Sequence, residues 1–159
     1  MSLCLATSAI AISLSLSAFT LRWEHSVEKT GWEERWRATP DGLVLEEARI
    51  RGSGAGMEPP DNAELKDGWW VYPGALPPQQ RIRLAVSGAT GKGWQLCTDQ
   101  ACRDIEQLLT VKGKRPKAIE ISQDRTCARL RPSPQAATLP ASAPANTAPA
   151  GSKDTAPAG

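Results

Sequence analysis

The chain has a single histidine, His25, which lies in the short run His25-Ser26-Val27-Glu28. A histidine beside a serine could serve as the base of a nucleophilic pair. The surrounding residues alternate as in a β-strand, however, and this places Ser26 and Glu28 on the opposite face from His25. Glu33 or Glu34 could reach His25 across a hairpin. One histidine with scattered carboxylates is a weak metal set, so the pattern favours a structural histidine, with ligand contact as the alternative.

A glycine-rich run, Gly52-Ser53-Gly54-Ala55-Gly56, is the second candidate binding element. Glycine-rich loops that hold phosphate lead directly into a helix N-terminus, whose amides meet the anion. Here Glu58, Pro59 and Pro60 follow, which brings a negative charge and two residues without amide hydrogens. The sequence therefore argues against a nucleotide-binding loop. Positive φ or a close backbone approach explains the glycines, and a loop whose amides bind a small anion stays open.

Two of the four cysteines, Cys97 and Cys102, are close in sequence, whereas Cys4 and Cys127 are isolated. A zinc site needs two such pairs, or histidines beside one, and a redox Cys-x-x-Cys is absent. Cys97 and Cys102 are therefore expected either to form a local disulfide, if the domain lies outside the cytoplasm, or to be buried thiols.

The charge balance gives no reason to expect nucleic acid or an anionic membrane surface as a partner. There are 19 basic and 17 acidic residues, a net charge of +2. No cofactor is predicted. Six tryptophans can supply much of a small core. Because adjacent strand residues face opposite ways, one of Trp69 and Trp70 is expected in the core and the other is a candidate protein contact.

Residues 3–21 carry no charge, and three interpretations compete. A secretory signal would need a basic start, which is missing, although Ser15 and Ser17 could precede a cleavage point. A membrane helix would need about 20 strongly apolar residues, and serines dilute this stretch. The third interpretation is a strand within residues 9–17, because aliphatic residues occupy every second position: Ile10, Ile12, Leu14 and Leu16.

The fold is predicted to be all-β or mainly β, as a small antiparallel sandwich or barrel over residues 1–130. Alternation predicts a meander of strands at 20–27, 32–38 and 43–51, which brings Glu28 and the glycine-rich run to one end of a sheet. Further strands are predicted at 69–72, 82–87, 94–97, 117–122 and 126–130. Asp99 is expected to cap a short helix within residues 99–109. Residues 131–159 are rich in Ala, Pro, Ser and Thr and are predicted to be a disordered tail.

Three segments resemble a known family. They are residues 19–30 with the His-Ser-Val-Glu run, residues 32–34, and residues 51–60 with the Gly-Ala-Gly run. In this order and spacing they are similar to the family called domain of unknown function 1850, and residues 94–102 resemble one branch of it. The resemblance implies a strand ahead of the His-Ser-Val-Glu strand. Family members are commonly encoded beside tripartite transporters of the TAXI type that depend on a periplasmic binding protein.

Two functions are therefore expected from the sequence. The first, implied by the resemblance, is a non-catalytic accessory protein in the cell envelope that contacts a membrane transporter or its solute-binding protein. The alternative is a small-ligand-binding or hydrolytic domain. The candidate contact residues for either function lie in the family-like segments: His25, Ser26, Glu28, Trp32, Glu33, Gly52, Ser53, Gly54, Gly56 and Glu58.

Overall fold

The computed structural model describes residues 1–24, 29–52, 58–88 and 92–130. None of these residues forms a helix with the length and apolar character that a membrane span requires. The described residues form eleven strands and one short helix: β1 Ser2–Ala6, β2 Ala11–Ser15, β3 Ala18–Glu24, β4 Gly31–Thr39, β5 Gly42–Arg51, β6 Glu64–Lys66, β7 Trp69–Pro73, β8 Arg81–Ala85, β9 Gln95–Cys97, β10 Cys102–Asp104, α1 Ile105–Leu108 and β11 Ala118–Ser122.

The strands form two antiparallel sheets, so the predicted mainly β fold is confirmed. The smaller sheet has the order β2-β1-β11-β8, and the larger has the order β10-β9-β3-β4-β5-β7-β6. Neither sheet closes on itself among the described strands, which makes the domain a small sandwich and not a barrel. A single core joins the sheets, and its fully buried members come from both sheets and the helix: Leu3, Leu5, Leu21, Leu43, Ile105, Leu109, Ile119 and Ile121.

Strands β3, β4 and β5 form the antiparallel meander that the alternation predicts. The register places Trp23 opposite Trp32, and Trp32 opposite Ile50. Strand β7 continues the sheet, with Trp69 opposite Arg51. One end of the larger sheet is therefore formed by the last residues of β3 and β5 and the first residues of β4 and β7.

The N-terminal residues form two strands of the smaller sheet. Strand β2 confirms the strand interpretation of residues 9–17. Strand β1 was not predicted, and it lies between β2 and β11 in the sheet. Leu3 and Leu5 of β1 have no exposed surface. These residues fill the core, so this segment is part of the folded domain.

The prediction of a short helix in this region is confirmed, but its predicted start and capping residue are wrong. Residues 102–104, expected in the helix, instead form β10 and pair with β9. The helix begins only at Ile105, and its cap is Asp104, whose Oδ1 accepts a hydrogen bond from the Gln107 amide at 2.9 Å. Asp99 lies in the connection between β9 and β10, too far upstream to cap this helix.

Two disulfides involve all four cysteines. Cys97 and Cys102 are directly opposite in the β9–β10 ladder and are bonded to each other. Cys4 of β1 is bonded to Cys127, a pairing that the sequence analysis did not predict.

The strand predicted at residues 126–130 is not formed. After β11 the chain turns back, with the Asp124 carboxylate accepting from the Thr126 amide at 2.9 Å. It is then tied to the β1–β2 hairpin by the disulfide and by a hydrogen bond from the Leu130 amide to the Thr7 carbonyl, 2.9 Å. These irregular contacts replace a strand ladder. The predicted tail, residues 131–159, lies outside the described residues.

Candidate functional site

An open cleft of about 670 Å³ lies at the end of the larger sheet where β3 and β5 finish and β4 and β7 begin. Its lining comes from these four strands, from residues 29–30 and from residues 92–95. We call it the end cleft. Because its side chains come from segments far apart in sequence, only the strand register brings them together.

One wall of the end cleft is the indole of Trp69, which lies across two neighbouring strands. Trp69 is opposite Arg51 in the β5–β7 ladder and reaches Gly31 at the start of β4. A Cβ added to Gly31 would lie 3.0 Å from Cη2 of Trp69, which is tighter than nearly all real contacts. The Arg51 guanidinium carbon is 5.9 Å from the centre of the same ring, within the range of a cation–π interaction. Glycine at position 31 therefore leaves room for the close approach of the indole.

The opposite wall, residues 92–95, is held by a buried carboxylate. Glu106 is 5% exposed, and its Oε1 accepts a hydrogen bond from the Trp94 amide at 3.0 Å. Gly93 passes so close to this carboxylate that a Cβ there would lie 2.7 Å from its Cδ. The Ile105 amide also donates to the Trp94 carbonyl, 3.0 Å. The helix end thus fixes the position of the cleft wall.

The end cleft carries an excess of positive charge. Arg22 and Glu33 form an ion pair of 2.6 Å, which neutralises one cation. Among the described residues, the other three cations of the lining, Lys29, Arg51 and Lys92, form no ion pair. Against these three charges the lining supplies one further carboxylate, that of Glu24. The described part of the lining is therefore net positive.

Behind the cleft, three tryptophans form a row. Trp23 stacks on Trp32 with ring centres 5.4 Å apart and contacts Trp94 at 4.5 Å. Two buried polar atoms at this end, Oγ1 of Thr30 and Nε1 of Trp32, have no hydrogen-bond partner in the described part of the chain. Thr30 also lines the cleft. The Thr30 hydroxyl has almost no accessible surface, so it is a buried group without a partner among the described residues and not a contact that the open cleft presents.

The structure gives positions for only some of the predicted contact residues. Glu33 lines the end cleft, and Trp32 lies behind it against Trp23. Glu58 is exposed and is not among the described lining residues. Gly52 follows β5 directly. The other candidates lie outside the described residues: His25, Ser26, Glu28, Ser53, Gly54 and Gly56.

The described residues that flank these two family-like runs nevertheless lie side by side. A Cβ built on Gly52 would be 3.7 Å from Cγ2 of Thr30, so the start of the glycine-rich run adjoins the residues that follow Glu28. Gly52 and Lys29 both have left-handed backbones, with φ of 91° and 54°. A positive φ is unusual for lysine and indicates a backbone fixed by its surroundings. A contact between Glu28 and the glycine-rich run stays a prediction.

A comparison with known families covers this part of the chain. The model of the family described as domain of unknown function (DUF1850) matches residues 19–105, more than half of the chain. This protein belongs to the DUF1850 family. The DUF1850 match begins in β3 and ends at the start of α1, so it includes every described residue of the end cleft. No curated protein and no solved structure matches the chain.

Of the described lining residues, only Glu33 was a predicted contact residue, with Trp69 as one of two alternatives, so most of the lining was missed, Arg51 and Lys92 included. Arg51 was placed only at the end of a strand, and Trp69 only on one of two faces. The pairing of β5 with β7 places Arg51 opposite Trp69 and would have identified both. The sequence does not indicate this pairing, because the connection between the two strands, residues 52–68, is long. Within the described ranges, no group of three or more His, Cys, Asp or Glu side chains could hold a metal ion.

On the core face of the same sheet, Glu34 is a largely buried carboxylate. It lies opposite Leu21 on one side and Ala48 on the other. Burial raises its pKa above the usual value, and a hydrogen bond from Nε1 of Trp36 at 3.0 Å partly opposes this. Burial and the charge of Glu34 also raise the pKa of Tyr72 to about 12.

We expect Glu34→Gln to raise the melting temperature at pH 8 and to leave it nearly unchanged at pH 4. A carboxyl whose folded pKa is raised stabilises the fold below its unfolded pKa, and that stability is lost as pH rises through the folded pKa. Glutamine keeps an acceptor for Trp36 and carries no charge. The measurement is thermal unfolding at both pH values, with Glu33→Gln as control. A lower melting temperature for Glu34→Gln at pH 8 would contradict the raised pKa.

Proposed function

We propose that this protein is a non-catalytic accessory protein that binds a small organic anion in the end cleft and acts beside a TAXI-type tripartite solute transporter. The observation that carries the proposal is the end cleft itself, where three cations that form no ion pair among the described residues line the same cleft as the indole of Trp69. The transporter association rests on the resemblance of the family-like segments. The proposed location in the cell envelope is supported by two disulfides, since disulfides persist in oxidising compartments.

The expected ligand is a carboxylate with a flat or apolar body. Arg51 presents a planar guanidinium, which suits a carboxylate, and it lies beside the Trp69 ring. The indole of Trp69 offers a surface on which an apolar body can stack. Charge and shape together therefore select an anion that has one apolar side.

A hydrolytic role would require His25 and Glu28 to act together, and both lie outside the described residues. No specific observation favours that alternative. The charged and aromatic groups of the described lining support binding, and no catalytic step is proposed.

We expect the protein to bind benzoate, and Arg51→Met to weaken this binding about 10- to 100-fold, the range for loss of one charge-assisted hydrogen bond. Trp69→Ala should weaken it as well, because it removes the stacking surface. Titration with benzoate is followed by tryptophan fluorescence and checked by calorimetry. Benzamide, of the same shape but neutral, serves as the ligand control. Arg83→Met, an exposed arginine on β8 of the other sheet, serves as the protein control.

The transporter association is tested separately, by affinity capture of the tagged full chain from solubilised membranes of cells that encode both proteins. Recovery of transporter subunits or of the solute-binding protein supports the accessory role. Benzoate binding that is absent, or that is unaffected by Arg51→Met, would refute the proposed ligand site. Capture without any transporter component would refute the accessory role.

A further inference from the structure

Strand β2 forms one edge of the smaller sheet, and no other strand of the described part of the chain lies beyond it. It is the outermost strand, and among the described residues it pairs only with β1. The outer strands of the larger sheet, β6 and β10, have three residues each and carry charged side chains, as protected edges usually do. In contrast, β2 has five residues, with the sequence Ala-Ile-Ser-Leu-Ser and neither charge nor proline. Such an edge is a template for another strand.

The hydrogen-bond pattern shows which backbone groups face outward from β2. At the hairpin, the Thr7 amide donates to the Ile10 carbonyl at 2.8 Å, which makes these two residues a hydrogen-bonded pair. Bonded and non-bonded pairs alternate along an antiparallel ladder, so Ile12 and Leu14 bond to β1. The N–H and C=O groups of Ala11, Ser13 and Ser15 therefore point away from the sheet.

A row of aliphatic side chains follows the same edge. These four residues pack against the core but are only partly buried, since no further strand among the described residues covers them: Ile10, Ile12, Leu14 and Leu16. An added strand would bury this row and extend the sandwich core. The edge thus offers both unpaired backbone groups and apolar surface.

We propose that β2 pairs antiparallel with β2 of a second copy of this chain, about a two-fold axis at Ser13. In this register Ser13 is opposite its own copy, and Ala11 is opposite Ser15, so all the outward backbone groups pair. Ile12 is then opposite Leu14, and aliphatic residues meet aliphatic residues. The two smaller sheets become one sheet of eight strands.

Charge is the reason to choose a second copy as the partner. Pairing a charged strand with its own copy brings like charges together across the axis, which is unfavourable. Residues 1–21 carry no charge, so this edge meets its copy without repulsion. Aliphatic and small residues alternate along β2, and this alternation is the same in both chain directions. A two-fold interface requires such self-complementarity.

The first test is sedimentation of the full chain over a range of concentrations. We expect a species of twice the chain mass of 17.0 kDa. Ser13→Pro should give a monomer, because proline removes the central outward N–H and is tolerated at an edge. Ser13→Ala keeps the N–H and should stay dimeric. Ser13→Lys, which places two lysines at the axis, should also give a monomer and serves if the proline variant does not fold.

The second test is of the register. Opposed residues in an antiparallel pair are about 5.5 Å apart at Cα, within the range of a disulfide. A mixture of Ala11→Cys and Ser15→Cys proteins should therefore form a crosslinked dimer on mild oxidation, whereas neither protein alone should. A monomeric wild-type chain, a dimer that survives Ser13→Pro and Ser13→Lys, or equal crosslinking of each single variant would overturn the proposal.

Discussion

Removal of residues 1–17 is expected to leave a chain that does not fold to a stable domain. The deletion takes away β1 and β2, and β1 is an internal strand of the smaller sheet. It removes Leu3 and Leu5 from the core, exposes the edge of β11 and eliminates the partner of Cys127. A single large-to-small change such as Leu5→Ala already costs about 2–5 kcal/mol, so loss of the whole hairpin should exceed the stability of a domain this size.

The measurement is circular dichroism with thermal unfolding of the shortened chain. The matched control is a chain that ends near residue 132, which keeps every described residue and should melt within a few degrees of the full chain. A soluble, cooperatively unfolding domain that begins at residue 18 would contradict the structural role of the hairpin. It would instead favour the view that this segment is a leader.

The parts of the fold that were predictable from sequence are those set by local alternation. The meander of β3, β4 and β5 follows from a two-residue period on each strand. The same rule places Trp69 and Trp70 on opposite faces, and Trp69 faces the cleft on the side of Arg51. The expected core position for one of them is not found, since both are only partly buried and neither belongs to the core. Each of these inferences needs only residues that are near neighbours along the chain.

The parts that were missed depend on contacts between distant segments. Strand β1 is buried at four successive positions, from Leu3 to Ala6, so it shows no alternation. Its burial arises from β2 and β11 on its two sides and from the Cys127 segment, which no local pattern indicates. The end cleft is similar, because Arg51 and Lys92 meet only through the strand order.

The position of the helix cap could not be predicted for a different reason. Asp99 and Asp104 are both acceptable capping residues, and propensity does not choose between them. The choice is made by the pairing of β9 with β10, which keeps the backbone extended as far as Asp104.

The Cys4–Cys127 bond is expected to stabilise the domain more than the Cys97–Cys102 bond does. In the chain-entropy description, a crosslink restricts the unfolded chain according to the length of the loop it closes. The bond from Cys4 spans 123 positions, and the bond from Cys97 spans five. The loop lengths correspond to about 4–5 kcal/mol for the long loop and about 2 kcal/mol for the short one.

The comparison is between the double variants Cys4→Ala with Cys127→Ala and Cys97→Ala with Cys102→Ala, measured by urea unfolding. Loss of the long crosslink also releases the chain after β11, which would then be held to the hairpin by the Leu130–Thr7 hydrogen bond and an exposed contact of Arg129 with Ala9. We therefore expect the first double variant to lose about twice as much free energy of unfolding as the second. An equal or larger loss for the second would mean that the short disulfide acts on the folded state, by holding β9 and β10 together below the wall of the end cleft. In that case, the second double variant should also weaken benzoate binding, whereas the first should leave it unchanged.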